Sequence, residues 1–308
     1  MEVYAAKSKN EEILIKSSSG GIFSILATEY KVKYGVAMSE NGLEARFERR
    51  DDDIEGLRGS KYLQASMGDT FARVKDDLDC GINVLFSGTG CQINGLRCFL
   101  GKDYDNLFCV DVICHGVPSP KLWRAYFHYC TCNDNGEHIV SFREKQNGWK
   151  HYELNIDGKS ESHRENKYMR MFLRDYCLRP ICYECPIKDN YMSDISLADF
   201  WGVEKILPEF FDDKGTSLVI VRTKKGRETF DRVRSELDCV KVEYSEAIKY
   251  NLSIVNSVIR PKERDYFYRD LDTKSMSSLI KKYAKDIKQP IAQRIKRKIE
   301  RKISKKEV

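Results

Sequence analysis

The chain has 308 residues, a net charge of +6 and 41% apolar side chains, enough for one large domain or two ordinary ones around a sizeable core. That composition excludes a disordered chain, and eleven cysteines in so long and charged a sequence do not read as a small secreted disulfide scaffold. Lys281 to Val308 holds twelve Lys/Arg and three Asp/Glu, a net +9 that leaves −3 on the rest, so the main body is not expected to bind nucleic acid.

The start, MEVYAAKSKNEE, lacks the basic opening and apolar centre of a signal peptide. No uncharged apolar run reaches the ~18 residues of a membrane span. A reducing cytoplasm is the expected setting, where clustered cysteines bind metal or do redox work.

In chain order, SSSGG reads as a polar loop, with Ser19 capping a helix from about Gly20 to Tyr30. Two strands are expected around the Asn41-Gly42 turn. A loop carrying Ser60, Lys61 and Tyr62 leads to a helix over about Gly68–Leu78. NVLFSGTGCQ is a strand, a glycine-containing loop and a helix ending near Gly101. NLFCVDVICHGVPSPK repeats that plan, with a strand over Leu107–Cys114 and a helix from Lys121. Two consecutive strand–loop–helix units predict parallel strands whose loops share one sheet end. Strands are expected around KQNGWK, a helix over 165–177, a short strand in DISLADFWG, and a strand and helix in TSLVIVRTKKGRETF. The fold class is therefore α/β with α+β character: a mixed, partly parallel sheet flanked by helices. It is followed from about Ser275 by a basic helix that divides 1–274 from 275–308. Ile287, Ile291, Ile295, Ile299 and Ile303 form an apolar stripe there, to pack on the body or a partner helix, or to lie on an anionic membrane surface.

The stretch LRPICYECPIK holds Cys182 and Cys185. A thioredoxin couple needs the pair between a strand and a helix start, whereas here a helix precedes it and Pro186 follows. Zinc usually takes a second short-spaced pair, which is absent. An iron–sulfur cluster accepts thiolates from distant loops, and the predicted sheet end brings Cys91 and Cys114 near each other. Cluster, zinc and plain buried thiols all stay open on the residues alone, with Cys177 as an extra candidate. Cys80, Cys98, Cys109 and Cys239 read as small core residues, and Cys130 and Cys132 as structural.

Ser18, Ser19, Gly20 and Gly21 before a helix can cradle a phosphate, or form an ordinary capped loop. Ser87, Gly88 and Thr89 make a second such loop, although Ile93 stands where a dinucleotide fingerprint needs glycine. Lys61 can neutralise a pyrophosphate or face water. His115 suits proton donation beside a cofactor, or simple packing. Asp199 stands beside Phe200 and Trp201, rings that stack on a flat cofactor or fill the core.

Eight ordered segments, KSSSGGIFSIL, LRGSKYLQA, VLFSGTGCQINGL, VDVICHGVPSP, FREKQNGWK, LRPICYECPIK, SDISLADFWG and DDKGTSLVIV, resemble the beta subunits of hydrogenases and dehydrogenases that use the deazaflavin coenzyme F-420. The likeness spans roughly 16–221 and is strongest to bacterial members found with surface-polysaccharide genes. It implies a flavoprotein with FAD and a 4Fe–4S cluster, passing electrons between them and exchanging a hydride with a small-molecule or sugar substrate. Carried over, the cluster ligands would be Cys91, Cys114, Cys182 and Cys185. FAD would meet Ser18–Gly21, Ser60–Tyr62 and Ser87–Thr89, and His115 or Asp199 would handle the proton.

Two departures stand out. Many relatives begin with a ferredoxin-like segment, whereas no cysteine precedes Cys80 here, so either a separate ferredoxin-like electron donor is expected or the chain has lost electron transfer. Gly90 replaces the family's usual proline, which is expected to loosen the loop while keeping the thiolate. A homo-oligomer and peripheral contact with the inner membrane face through the tail are compatible with this reading. The rival is a non-catalytic, metal-stabilised binding subunit of a polysaccharide assembly complex.

Overall fold

The structure, a computed structural model, describes residues 1–285 apart from 135 and 189. The Ile287–Ile303 stripe and the membrane reading built on it lie outside the described residues.

In chain order the strands are β1 (Glu2–Ser8), β2 (Val32–Met38), β3 (Ala45–Arg50), β4 (Ala65–Ser66), β5 (Val84–Thr89), β6 (Leu107–Val112), β7 (Val140–Glu144), β8 (Glu153–Ile156), β9 (Lys159–Ser162), β10 (Ile195–Asp199), β11 (Ser217–Val221) and β12 (Leu237–Lys241). Nine of them pair in the order β12-β1-β11-β10-β6-β5-β2-β3-β4. β2, β5, β6 and β10 run parallel to their neighbours within that group, as does β3 to β4; the other pairs are antiparallel. β7, β8 and β9 form a separate antiparallel sheet. The expected mixed α/β architecture is thus observed, with helices on both faces.

β5 and β6 carry near-continuous apolar runs because both of their faces are covered. Leu85, Phe108 and Val110 pack under the helices Ile22–Ala27 and Lys224–Val233. Val84, Phe86, Leu107 and Cys109 pack under Thr70–Asp79 and Gly90–Leu100. A third core joins the small sheet to the helices Pro120–Thr131, Lys167–Phe172, Arg264–Thr273 and Met276–Tyr283, around fully buried Trp123, Phe142 and Tyr168.

Several elements differ from the sequence expectation. β1 has no counterpart in it. The strand lies between β11 and β12, with Val3, Tyr4, Ala5 and Ala6 all buried, so it shows no polar–apolar alternation. The helix expected over Gly20–Tyr30 is only Ile22–Ala27. The helix expected over 165–177 is Lys167–Phe172, after which Asp175 takes φ +63°, outside the helical region.

Candidate functional site: a cleft at the carboxyl ends of the parallel strands

Strand register sets the site. Thr89 of β5 pairs with Val112 of β6, and Val112 with Leu197 of β10. Cys91, Cys114 and Asp199 each stand two residues beyond that row, at the sheet end where open α/β folds bind ligands. Cys91 sits in the first turn of Gly90–Leu100, which Thr89 opens; the Thr89 N–H donates to Gln92 Oε1 at 2.8 Å.

The Cys-x-x-Cys loop is brought to the same place by backbone pairing. Ser119 N donates to Cys177 O at 2.9 Å, Arg179 N to Val117 O at 3.0 Å, and Pro118 bridges Leu178. Val117 N then points at Cys182 Sγ, 3.4 Å away. On the other side, Cys185 N donates to Ser257 Oγ at 2.8 Å. Lys188 Nζ donates to Cys114 O at 2.8 Å and also bonds Ser253 O.

The four thiols feel one another. Burial pushes the Cys114 thiol up to about 12, with the Cys182 and Cys91 sulfurs adding to the rise and Lys188 opposing it. Burial also raises Cys182, helped by Cys91 and Cys185. All eleven cysteines are unbridged; Cys91 is exposed and the other three of this set are half-buried. Among the described residues no three His, Cys, Asp or Glu side chains stand in a metal-holding arrangement. The donor set itself, four reduced thiols beside an ammonium and an amide N–H, suits a thiolate-ligated cluster.

Other cysteines depart from expectation. Cys177 is fully buried in the third core, and burial is the main force that pushes its thiol up to about 12. Cys80 and Cys98 are exposed, not core residues: Cys80 caps the end of the helix Thr70–Asp79 and Cys98 lies on the solvent side of Gly90–Leu100; Cys239 is half-buried and Cys109 is buried as expected.

Gly90 does not loosen its loop. A Cβ there would stand 2.4 Å from Ile187 Cγ2, so the bare backbone lets the Cys-x-x-Cys loop approach the helix start closely.

A cleft of about 970 Å³ opens beside the thiols. Ser18, Ser19, Gly21, Ser60, Lys61, Tyr62, Ser87, Gly88, Thr89, Cys114, His115 and Asp199 all line it. Gly20 does not; its backbone lies under the loop, with a Cβ position only 2.3 Å from Ala6 O. Ser60 N donates to Ser18 Oγ at 2.8 Å and ties two of the loops together. Lys61 Nζ is held by the carbonyls of Gly56 and Arg58, at 2.9 and 2.6 Å, and burial lowers it to about 7. It is therefore close to losing its charge at neutral pH.

The cleft floor contains residues that no local motif exposed. Arg143, nearly fully buried, donates to Asp199 Oδ2 at 2.7 Å, Tyr62 Oη at 3.0 Å and Ser18 O at 3.3 Å. Its guanidinium covers Tyr152, 3.9 Å from the ring centroid. Trp149 Nε1 donates to Asp199 Oδ1 at 3.3 Å, and Trp149 stacks on Trp201 at 5.0 Å. Asp199 is thus held as an ion-pair partner. Phe200 fills the core, while Trp201 faces the cleft. His115 is held by Asp175, Nε2 to Oδ1 at 2.6 Å. The only hint of Arg143 in the sequence is its place in FREKQNGWK.

A sheet-end cleft flanked by loop-borne thiols defines the class of α/β proteins that place a ligand at parallel strand ends. The family described as the C terminus of the coenzyme F420 hydrogenase/dehydrogenase beta subunit matches residues 82–246, more than half of the chain. The chain belongs to the coenzyme F420 hydrogenase/dehydrogenase beta subunit family. A chain from the F420-reducing NiFe hydrogenase complex of Methanosarcina barkeri shares the fold, with a TM-score of 0.53 and 18% identity over 82% of this chain and 90% of that one. No curated protein matches the chain. No helix among the described residues is long and apolar enough to cross a membrane.

Proposed function

We propose that the chain is an iron–sulfur flavoprotein oxidoreductase, holding FAD in the cleft and a 4Fe–4S cluster on Cys91, Cys114, Cys182 and Cys185. The observation that carries this reading is the register row, which sets Cys114 in the cleft wall and Cys91 beside it. The cleft is at the upper end of the size range of cofactor sites. Arg58, Lys61, Arg143, Lys150, Arg164 and Lys249 line it against only Asp199 and Glu204, a balance that suits a pyrophosphate. Ser18, Ser60 and Ser87–Thr89, which form the end of β5 and not the expected loop, would hold the FAD.

A bound cluster and FAD would supply single-electron transfer and hydride exchange respectively. The chain's own part is to keep both sites adjacent, to fix Asp199 in place through its ion pair with Arg143, and to offer His115, steadied by Asp175, as a proton carrier. Exposed Cys91 lies on the side from which a separate ferredoxin-like donor would deliver electrons. The substrate is an organic small molecule or sugar of surface-polysaccharide synthesis. The setting is the cytoplasmic side of the membrane, with the basic tail as the membrane contact.

Anaerobic purification tests this. The expected product is brown, with about one FAD and four irons per chain, and a Cys182→Ser variant that loses iron. A colourless protein containing zinc and no flavin would overturn the proposal in favour of a non-catalytic, metal-stabilised subunit.

A further inference from the structure

His163 lines the same cleft and takes no part in the reading above. Its ring stacks on Tyr152, with centroids 4.1 Å apart and planes 13° apart. Arg143 covers the same ring at 3.9 Å, so the two must occupy opposite faces, and the histidine is braced by a packed column. His163 Nδ1 lies 3.0 Å from Tyr152 O. A carbonyl only accepts, so Nδ1 carries the proton and Nε2 keeps its lone pair. Among the described residues no donor meets Nε2. Burial is the main force lowering this imidazole below its ordinary 6.5; Arg164, Arg143 and His151 add to it, and the Tyr152 carbonyl opposes it. It is neutral at pH 7.

The next residue, Arg164, is exposed on the same wall. No carboxylate pairs with it among the described residues, whereas Arg143, Lys150 and Lys249 are matched by Asp199, Glu204 and Glu246. An unpaired acceptor beside an uncompensated cation is complementary to a ligand that carries both a hydroxyl and a negative group.

We propose that His163 and Arg164 form a subsite for a hydroxylated organic anion, whose hydroxyl donates to His163 Nε2 while its phosphate or carboxylate meets Arg164. This rests on the cleft being the ligand site proposed above. Two sources present that chemistry, the ribityl phosphate of FAD and a separate substrate.

Nitrogen-15 NMR of the full chain, labelled at histidine, tests the subsite. His163→Phe keeps a stacking ring and assigns the signal. The expected apo state at pH 7 is a neutral ring protonated on Nδ1. Glucose 6-phosphate is the probe, with inorganic phosphate and glucose as controls. If FAD alone shifts the Nε2 signal, the cofactor is the source; if only glucose 6-phosphate added to FAD-loaded protein shifts it, a second ligand is. In either case His163→Phe should weaken that ligand about tenfold or more, and His163→Gln, with its amide oxygen, should recover part of the loss. A ring protonated on Nε2, an imidazolium at pH 7, or a signal that neither FAD nor glucose 6-phosphate moves overturns the proposal. So does an equal response to inorganic phosphate. If the chain retains no FAD but glucose 6-phosphate still moves the signal, the cofactor reading fails and the subsite stands.

Discussion

Arg143 is the residue on which the cleft floor depends. It is nearly fully buried, and it anchors Asp199, Tyr62 and Ser18, groups from three separate segments of the chain. Removing one partner of a buried ion pair leaves the other charge uncompensated. Arg143→Met is therefore expected to cost about 3 kcal/mol of unfolding free energy, read from urea denaturation. A loss below about 1 kcal/mol would mean that water replaces the guanidinium and that the pair is not structural. Lys61 gives a pH test. Its folded value is about 7 against an ordinary 10.5. Between those values the unfolded chain holds the proton and the folded chain does not, so unfolding free energy rises with pH across that window. Native protein should show a steeper rise from pH 7 to 10 than Lys61→Met does; identical slopes would show that Lys61 remains charged in the fold.

At the scale of elements, the site depends on how closely two short segments approach. The helix Gly90–Leu100 meets the Cys-x-x-Cys loop where Gly90 faces Ile187. Gly90→Ala should lower the melting temperature and reduce iron uptake together, because the added methyl pushes the loop from Cys91. Loss of stability with full iron content would separate the contact from the ligand set. The helix Lys167–Phe172 leads the chain toward the same loop. Asn166 caps it, accepting from Met169 N at 3.0 Å and donating to Tyr126 Oη at 2.9 Å while buried. Asn166→Ala should cost about 2 kcal/mol in denaturant unfolding, since it removes a cap and one of the hydrogen-bond partners of a buried hydroxyl.

Across the whole molecule, the third core extends into the start of the basic C-terminal segment. Leu279 and Tyr283 are buried in it, and Arg174 Nη1 donates to Tyr283 O at 2.6 Å. A chain ending at Lys285 should fold with native stability and lose binding to anionic vesicles, whereas one ending at Lys274 should be strongly destabilised. Thermal melts and vesicle sedimentation distinguish the two. Vesicle binding that survives removal of 286–308 would end the membrane reading of the tail.

Much of this was legible in the residues. The repeated strand–loop–helix plan around Cys91 and Cys114 announced parallel strands, and β5 and β6 pair as that plan requires. Most of the serine, glycine and lysine positions read as phosphate-binding do line one cleft. β1 escaped because a strand buried on both faces has no period to detect. Arg143 and Asp175 escaped because their partners are far away in sequence, and Tyr152 and His163 escaped because no local motif marks a stacked pair. His115, for example, meets Asp175 only because the chain turns sharply after Phe172.

The sequence by itself carried the family, through eight ordered segments, and the mixed sheet, through the local periodicity of its strands and helices. Tertiary structure alone decided that Cys177 belongs to the core, that Gly90 serves close approach and that Asp199 is tied to Arg143. Those outcomes depend on which surfaces are buried against each other, and burial sets charge, protonation and access only after distant segments have met.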